Sequence, residues 1–514
     1  GAMENFGCVT FRETALLLDP ATASPAEFKR VANTTTHENA HMWFGDYATM
    51  FWWNGLWLNE AAATYLAILM LEKFRPQWHV WDEFNIDKAA ALRIDGLHST
   101  RSIEFPVATP EDARAMFDVL TYEKGCAVLR MLELYLGGNI FRDGMRNYLA
   151  DNAYGNADTP ALWNAIGKAA TAAGSTVPVA DMMHGWVFQP GYPVVTVSIG
   201  ETEGCIVLSQ KRFTYLNEGA ATTERWHIPL TIRATTTDGK VEKTVALSGQ
   251  SETIYIGADA KRVVVNVNGQ GFYRVNYSNE LRRQLFDALE TLTVSERFNL
   301  IADLWANVLA GAVSLKDYFA AAKKLCVDFS ENDSHVWSVI TGSLTNLRRP
   351  LPADAATTDS FTKVARQLIE PKLTQLGMAA AADEPETVGE LRASLIGTLA
   401  VLGDQTIQAE MAKRFQAYAA DRKAVDSSLV QAVIDGTAGA GNGTAYDTFC
   451  QMRKSAATPQ EEARFLFALT AFKDENLIAR TLASALAGEV RTQDLPSVLL
   501  KLFNNPTASR KTWT

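Results

Sequence analysis

The sequence predicts an α+β fold, predominantly helical, laid out in three consecutive parts. Residues 1–192 carry apolar residues mostly at helical spacing, after a short alternating stretch at the start. Residues 193–279 are rich in Val, Ile and Thr with alternating polarity, and hold two hairpin turn signals, Asp238-Gly239 and Asn268-Gly269. That is the pattern of a small β-sandwich. Residues 280–514 return to helices separated by short turns, with no strict period, as expected of an irregular array of helix hairpins. A length of 514 residues suits about three domains.

Taken in order, residues 1–13 alternate enough to read as one strand, with Val9 and Phe11 on one face. On composition alone its Glu4 is a solvated edge residue. Pro25 to Arg30 precede the helix that carries His37-Glu38-Asn39-Ala40-His41. Two histidines four residues apart on a helix lie about 40° apart around the axis and about 6 Å along it, so both imidazoles reach one metal ion. Glu38 is badly placed to be a third ligand but can face a water on that ion. H-E-x-x-H on a helix is the zinc-peptidase pattern for this reason. Thr34, Thr35 and Thr36 just before it are poor helix-interior residues, unlike an ordinary surface helix. Gly45-Asp46 offers a break. A catalytic ion needs a third protein ligand and an open fourth position. Glu60, separated from His41 by eighteen residues, can supply the ligand. Asn59 is expected to cap or enter a second helix, Glu60 to Phe74, with Glu60 in its first turn.

Trp43, Trp52, Trp53 and Trp57 cluster around this site and are expected to be mostly core. Residues 76–190 read as mainly helical, with a strongly amphipathic segment from Phe117 to Leu136. Tyr122 lies in its first turns, and Lys124 is read as exposed. Gln189-Pro190-Gly191-Tyr192-Pro193 is a turn before the strand-rich part, Val194 to Tyr277. Helices are then expected at Leu281–Leu292, Ser295–Ala310 and Leu315–Cys326, and loops at Ala379–Glu386 and Gly436–Gly443. His79, His98, His184, His227 and His335 have no companion at ligand spacing and are read as structural or exposed.

Composition limits the function classes. A net charge of −10 argues against nucleic acid or an anionic membrane as main partner. No apolar run reaches the ~20 residues that span a bilayer; the stretch Leu66 to Leu71 ends at Glu72-Lys73 and reads as a buried helix. Five scattered cysteines, with no C-x-x-C, suggest neither a cysteine metal site nor a disulfide framework. Reduced thiols in a cytoplasmic protein are the simple expectation.

With these residues in view, the stretch His37 to Glu60, embedded in HMWFGDYAT and WWNGLWLNE, resembles the zinc site of the aminopeptidase N family, the gluzincin aminopeptidases. Gly1-Ala2-Met3-Glu4-Asn5 matches that family's exopeptidase signature, and Thr121-Tyr122-Glu123-Lys124-Gly125 its catalytic tyrosine segment. The resemblance implies a thermolysin-like catalytic domain over 1–192, a β-sandwich over 193–279 and a helical domain over 280–514. It implies one Zn²⁺ on His37, His41 and Glu60, with Glu38 as general base and Tyr122 as oxyanion donor. Glu4, with Gly1 and Ala2, would bind peptide substrates by their free N-terminus. The family's N-terminal β domain and the end of its helical domain are expected to lie outside this sequence; oligomeric state stays open. Three departures stand out. Ala61-Ala62-Ala63 replaces a Gly-Phe-Ala-like run, Ala67 stands where many members carry an acid, and the β domain normally lends a second acid for the substrate amine. The alternatives are a catalytically impaired relative acting as a peptide-binding scaffold, an epoxide-opening relative, and an endopeptidase.

Overall fold

A computed structural model describes residues 1–215, 223–352, 354–381 and 383–513. The chain is mostly helical, with a small strand-rich region. It forms two compact units, Gly1–Phe11 with Ala32–Leu325, and Arg12–Val31 with Cys326–Thr514. The strand-rich segment therefore packs in the same unit as the helices before it. A buried polar bond shows why: the Lys88 ammonium donates to the Gly269 carbonyl.

Residues 1–13 are not one strand. β1 (Ala2–Met3) and β2 (Thr10–Phe11) form an antiparallel hairpin with Ala2 opposite Phe11. Gly7, at φ +75°, turns the chain between them, so the alternation seen in sequence runs across a reversal. Helix α1 spans Pro25–His41 and takes in the stretch expected to precede it. Its start is a capping box: Glu27 N–H donates to Ser24 Oγ at 3.3 Å, and Ser24 N–H to Glu27 Oε2 at 2.8 Å. Pro25 at the first helical position has its φ pre-set. The helix carries on through Thr34–Thr36, where the Thr36 hydroxyl returns to the Ala32 carbonyl at 2.7 Å.

After α1 come β3 (Ala48–Met50), α2 (Trp57–Phe74), α3 (Val80–Asp95), α4 (Pro110–Ala115) and α5 (Gly125–Leu136). One turn of π-helix, Leu120–Lys124, leads directly into α5. Helix α2 is buried along most of its length, and Trp57, Ala61 and Ala63 are fully enclosed. Then follow α6 (Gly138–Asp151), β4 (Gly155–Ala157), parallel to β3, α7 (Thr159–Ala172) and α8 (Val179–Phe188).

The strand-rich part holds β5 (Pro193–Ile199), β6 (Cys205–Arg212), β7 (Ile228–Thr236), β8 (Gly239–Leu247), β9 (Ser251–Tyr255), β10 (Lys261–Val265) and β11 (Arg274–Tyr277). They form two sheets, ordered β11-β5-β6-β9 and β10-β7-β8. Asp238-Gly239 does close a hairpin, with Thr236 opposite Gly239. Asn268-Gly269 does not: it links β10 in one sheet to β11 in the other, where β11 runs parallel to β5. The positive φ of Asn266, Asn268 and Gly269 suits a turn of either kind, so the dipeptide marked a reversal without naming the strands it joins. Helices Asn279–Phe286, Val294–Leu309 and Leu315–Lys323 complete the unit. The first is shorter than the expected Leu281–Leu292, which breaks after Phe286.

The second unit is a helical array from Ser334 to Trp513 with its own buried cores, one of them built on Leu466, Ile478, Val498 and Leu502. Of the two loops expected here, Ala379–Glu386 is non-helical up to Pro385 where described, and Ala382 lies outside the described residues. Gly436 to Ala440 is helical, inside Val430–Ala440. A Cβ on Gly436 would lie 2.9 Å from the Met411 side chain, so this glycine serves close helix packing and not a turn. Among the described residues no helix is long and apolar enough to cross a membrane.

Candidate metal centre

The centre is assembled from α1, α2, the N-terminal hairpin and the π-helical turn. His37 and His41 sit at i and i+4 on α1, and His41 is its last residue. The chain then turns through Gly45 at φ +137°, where a Cβ would press on His41 Nδ1 at 3.3 Å. A side chain there would push the ring away. Helix α2 begins at Trp57, three residues earlier than expected, after a short turn at Trp53–Gly55. Asn59 is therefore a buried helical residue and not a cap. Glu60 still falls in the first turn and faces the two histidines.

His37 Nε2 lies 3.0 Å from His41 Nε2 and 3.2 Å from Glu60 Oε2, and His41 Nε2 lies 3.3 Å from the same oxygen. A tetrahedral ion bound at about 2.0–2.1 Å sets its ligand atoms about 3.3 Å apart, so the triangle has the dimensions of one face of such a site. The chemistry fits too. His41 Nδ1 lies 2.9 Å from the Phe44 carbonyl, which can only accept, so Nδ1 carries the proton and Nε2 presents a lone pair. Lone pairs converging with a carboxylate oxygen call for a cation between them. Among the described residues this is the one group of three or more such side chains with that convergence.

The electrostatics point the same way. Burial disfavours a charged Glu60, yet the His37 and His41 rings bonded to it outweigh that and hold its pKa at about 2. Burial likewise disfavours a charged His41, but the Glu60 carboxylate prevails and raises its pKa to about 9. The cluster thus attracts positive charge at the His41 Nε2 position, either a second ring proton or a cation that displaces it. Glu38 is 4% exposed, and its Oε2 has no hydrogen-bond partner. Burial raises its pKa to about 7; the His41 charge opposes this, while Glu4 and Glu60 add to it.

The remaining expected residues fall as follows. Glu4 Oε1 comes within 3.9 Å of His41 Nδ1, so the hairpin brings its carboxylate to the site. Ala2 pairs with Phe11 through the backbone, and Gly1 is exposed just ahead of it. The Tyr122 ring stacks on His37 at 6.0 Å between centroids. Burial, then the neighbouring Glu60 carboxylate, raise its phenol pKa, so it stays protonated and can donate. Lys124 is not exposed. Its ammonium is fully buried, 2.7 Å from Asp95 Oδ2 and 3.0 Å from the Gly191 carbonyl. The tryptophans also depart from expectation. Trp57 alone of the four is core, while Trp43, Trp52 and Trp53 are each at least 40% exposed.

Sequence reasoning missed Thr64, whose Oγ1 lies 3.4 Å from His37 Nδ1. Its position four residues after Glu60, on the same face of α2, was the available signal. The Ala61-Ala62-Ala63 departure has a packing counterpart: a Cβ on Gly125 would lie 2.5 Å from the Ala61 methyl. The glycine before α5 makes room for the alanine on α2.

Comparison with known proteins bears on the family. Residues 1–186 match the peptidase family M1 domain, and residues 263–514 the ERAP1-like C-terminal domain. The chain is 34% identical to aminopeptidase M1-A of Oryza sativa subsp. japonica over 96% of its own length and 56% of the rice protein. It is 32% identical to a leucyl aminopeptidase of Saccharolobus solfataricus, over 99% of this chain and 60% of that protein. It is 35% identical to the tricorn protease-interacting factor F2 of Thermoplasma acidophilum, over 82% and 50%. The chain spans between half and about three fifths of the length of these relatives. The two domain matches in order, together with relatives aligned over nearly all of this sequence, identify the chain as a member of peptidase family M1.

Proposed function

We propose that this chain is a zinc-dependent aminopeptidase that hydrolyses the first peptide bond of peptides with a free N-terminus. The observation that carries the reading is the triangle of His37 Nε2, His41 Nε2 and Glu60 Oε2, with the buried Glu38 carboxylate coupled to it and its Oε2 without a hydrogen-bond partner. Those three residues would hold one zinc ion. When bound, such an ion acts as a Lewis acid and makes water nucleophilic near neutral pH. Glu38 takes the proton of the attacking water and returns it to the leaving amine. The Tyr122 hydroxyl donates to the oxyanion that develops at the scissile carbonyl, a charge absent from the ground state. Glu4 pairs with the substrate α-ammonium, and the Gly1–Ala2 backbone offers peptide groups to an extended substrate. An anchored ammonium sets the register, so one residue is removed at a time. The names of the relatives, aminopeptidases of a plant and an archaeon, support the same reading. A thermolysin-like arrangement of residues 1–192, with a β-sandwich and a helical domain after it, belongs to this proposal.

The test is turnover of an aminoacyl chromogenic substrate with and without chelator. Glu38→Gln is expected to lose nearly all activity while binding zinc as before. Acetylating the substrate amine is expected to abolish cleavage. Persisting activity in Glu38→Gln would remove the base assignment, and cleavage of the blocked substrate would make the protein an endopeptidase.

A further inference from the structure

We propose that Thr64 is a positioning residue, which fixes the tautomer and ring orientation of His37. The inference rests on the metal-site reading above and extends it to a residue that touches neither ion nor substrate.

A threonine hydroxyl has one hydrogen. Thr64 spends it on the Glu60 carbonyl, four residues back on α2, at 2.8 Å. Towards His37 Nδ1, 3.4 Å away, the same oxygen can therefore only accept. Nδ1 must then carry the ring proton, and Nε2 is left bare. Nε2 is the atom facing His41 and Glu60. Thr64 thus does for His37 what the Phe44 carbonyl does for His41, and both rings present an unprotonated Nε2 to the same point. The Tyr122 ring stacks on the His37 ring at 6.0 Å between centroids.

An ordinary explanation exists for half of this. Threonines inside helices often return their hydroxyl to the carbonyl four residues back, with no further role. That accounts for the bond to Glu60 but not for the oxygen lying against an imidazole from another helix. Among the described residues Thr64 is also the one polar side chain bonded to His37 Nδ1. Ala67, one turn further along α2, is 1% exposed and brings no polar atom. The support of this ligand is therefore a neutral acceptor and not a carboxylate. Groups that orient metal-bound histidines typically matter by roughly 10–100-fold in metal affinity.

The experiment measures zinc affinity directly, by competition with a chromogenic chelator, in the wild type, Thr64→Val, Thr64→Ser and His37→Ala. Thr64→Val keeps the shape and loses the oxygen; it is expected to weaken zinc binding by roughly 10–100-fold. Thr64→Ser keeps the oxygen and is expected to stay close to wild type. Zinc bound equally well by the valine variant would reduce Thr64 to a helix-internal hydroxyl and overturn the proposal. A urea midpoint on each apoprotein separates this from damage to the fold. If Thr64→Val does not fold, Thr64→Ala against Thr64→Ser makes the same comparison with one methyl fewer. If His37→Ala binds zinc like wild type, the metal-site reading itself is wrong and this inference falls with it. If His37→Ala loses zinc and Thr64→Val does not, only the inference falls.

Discussion

Tyr122 and His37 share a contact but not a task. The phenol stacks on the imidazole and its hydroxyl bonds to the Glu60 carboxylate. A hydroxyl kept protonated in a buried site can stabilise charge that appears only as the carbonyl is attacked. Tyr122→Phe removes that oxygen and little else. It is expected to lower kcat by roughly 10²–10³, with zinc affinity unchanged. Steady-state rates and a chelator titration on the same preparation check both halves. Zinc loss parallel to the loss of rate would mean that the hydroxyl holds Glu60 in place instead. At this scale the readable residues were those whose chemistry is local. His37, Glu38 and His41 announce themselves through an i, i+4 spacing. Lys124 was read as exposed, because the groups that accept its hydrogen bonds, Asp95 and Gly191, are 29 and 67 residues away.

At the scale of elements, helices and strands were legible where periodicity alone decides. Helix α5 and strand β6 follow their hydrophobic patterns. What was missed depended on backbone geometry or on a neighbour. The Ser24–Glu27 capping box moves the start of α1 back to Pro25, and a reversal at Gly7 splits the first strand in two. The glycines show the ambiguity best, since Gly436 is a helix-packing residue in a stretch that looked like a loop. Gly125 is the functional counterpart. It lies three residues after Tyr122, where a Cβ would meet the Ala61 methyl at 2.5 Å, one residue from Glu60. Neither atom can rotate away. Gly125→Ala is expected to cost about 1–3 kcal/mol by overpacking. It should also lower kcat, because the turn carrying Tyr122 must shift relative to α2. Adding Ala61→Gly opens the same space from the other side. The two changes should then couple by at least about 0.5 kcal/mol in urea denaturation. Strict additivity would show that the helices separate elsewhere.

At the scale of the molecule, the first unit is tied together by a polar core that no local pattern reveals. The Lys88 ammonium, fully buried, reaches the Gly269 carbonyl, and Asn299 donates to Asn85 Oδ1 at 3.3 Å. Burial lowers the Lys88 pKa to about 7, with Asp303 opposing and Arg274 adding to the shift. An unfolded lysine titrates near 10.4. Between these values the unfolded chain binds the extra proton, so the Lys88 contribution to stability rises with pH across that window. Below about pH 7 both states are charged and the full penalty of burial is felt. Lys88→Met should therefore flatten the dependence of unfolding free energy on pH between 7 and 9, by up to about 1.4 kcal/mol per pH unit. Urea melts of both proteins at several pH values measure it, and parallel curves would mean that the buried amine keeps its charge.

A bound ion acts on the same unit by mass action. At 100 times its dissociation constant, zinc should stabilise whatever structure holds it by about 2.7 kcal/mol. His37, His41, Glu60 and Tyr122 all belong to the first unit, whereas the helices from Ser334 onward have cores of their own. Stabilisation should then be local: in hydrogen exchange, zinc is expected to slow opening of the segments 32–64 and 120–136. Exchange across Val430–Ala468 should stay as it is in the apoprotein. Equal protection in both would show that the chain opens as one cooperative body and that the ion reports on all of it. Protection confined to the second unit would place the ion away from the two histidines.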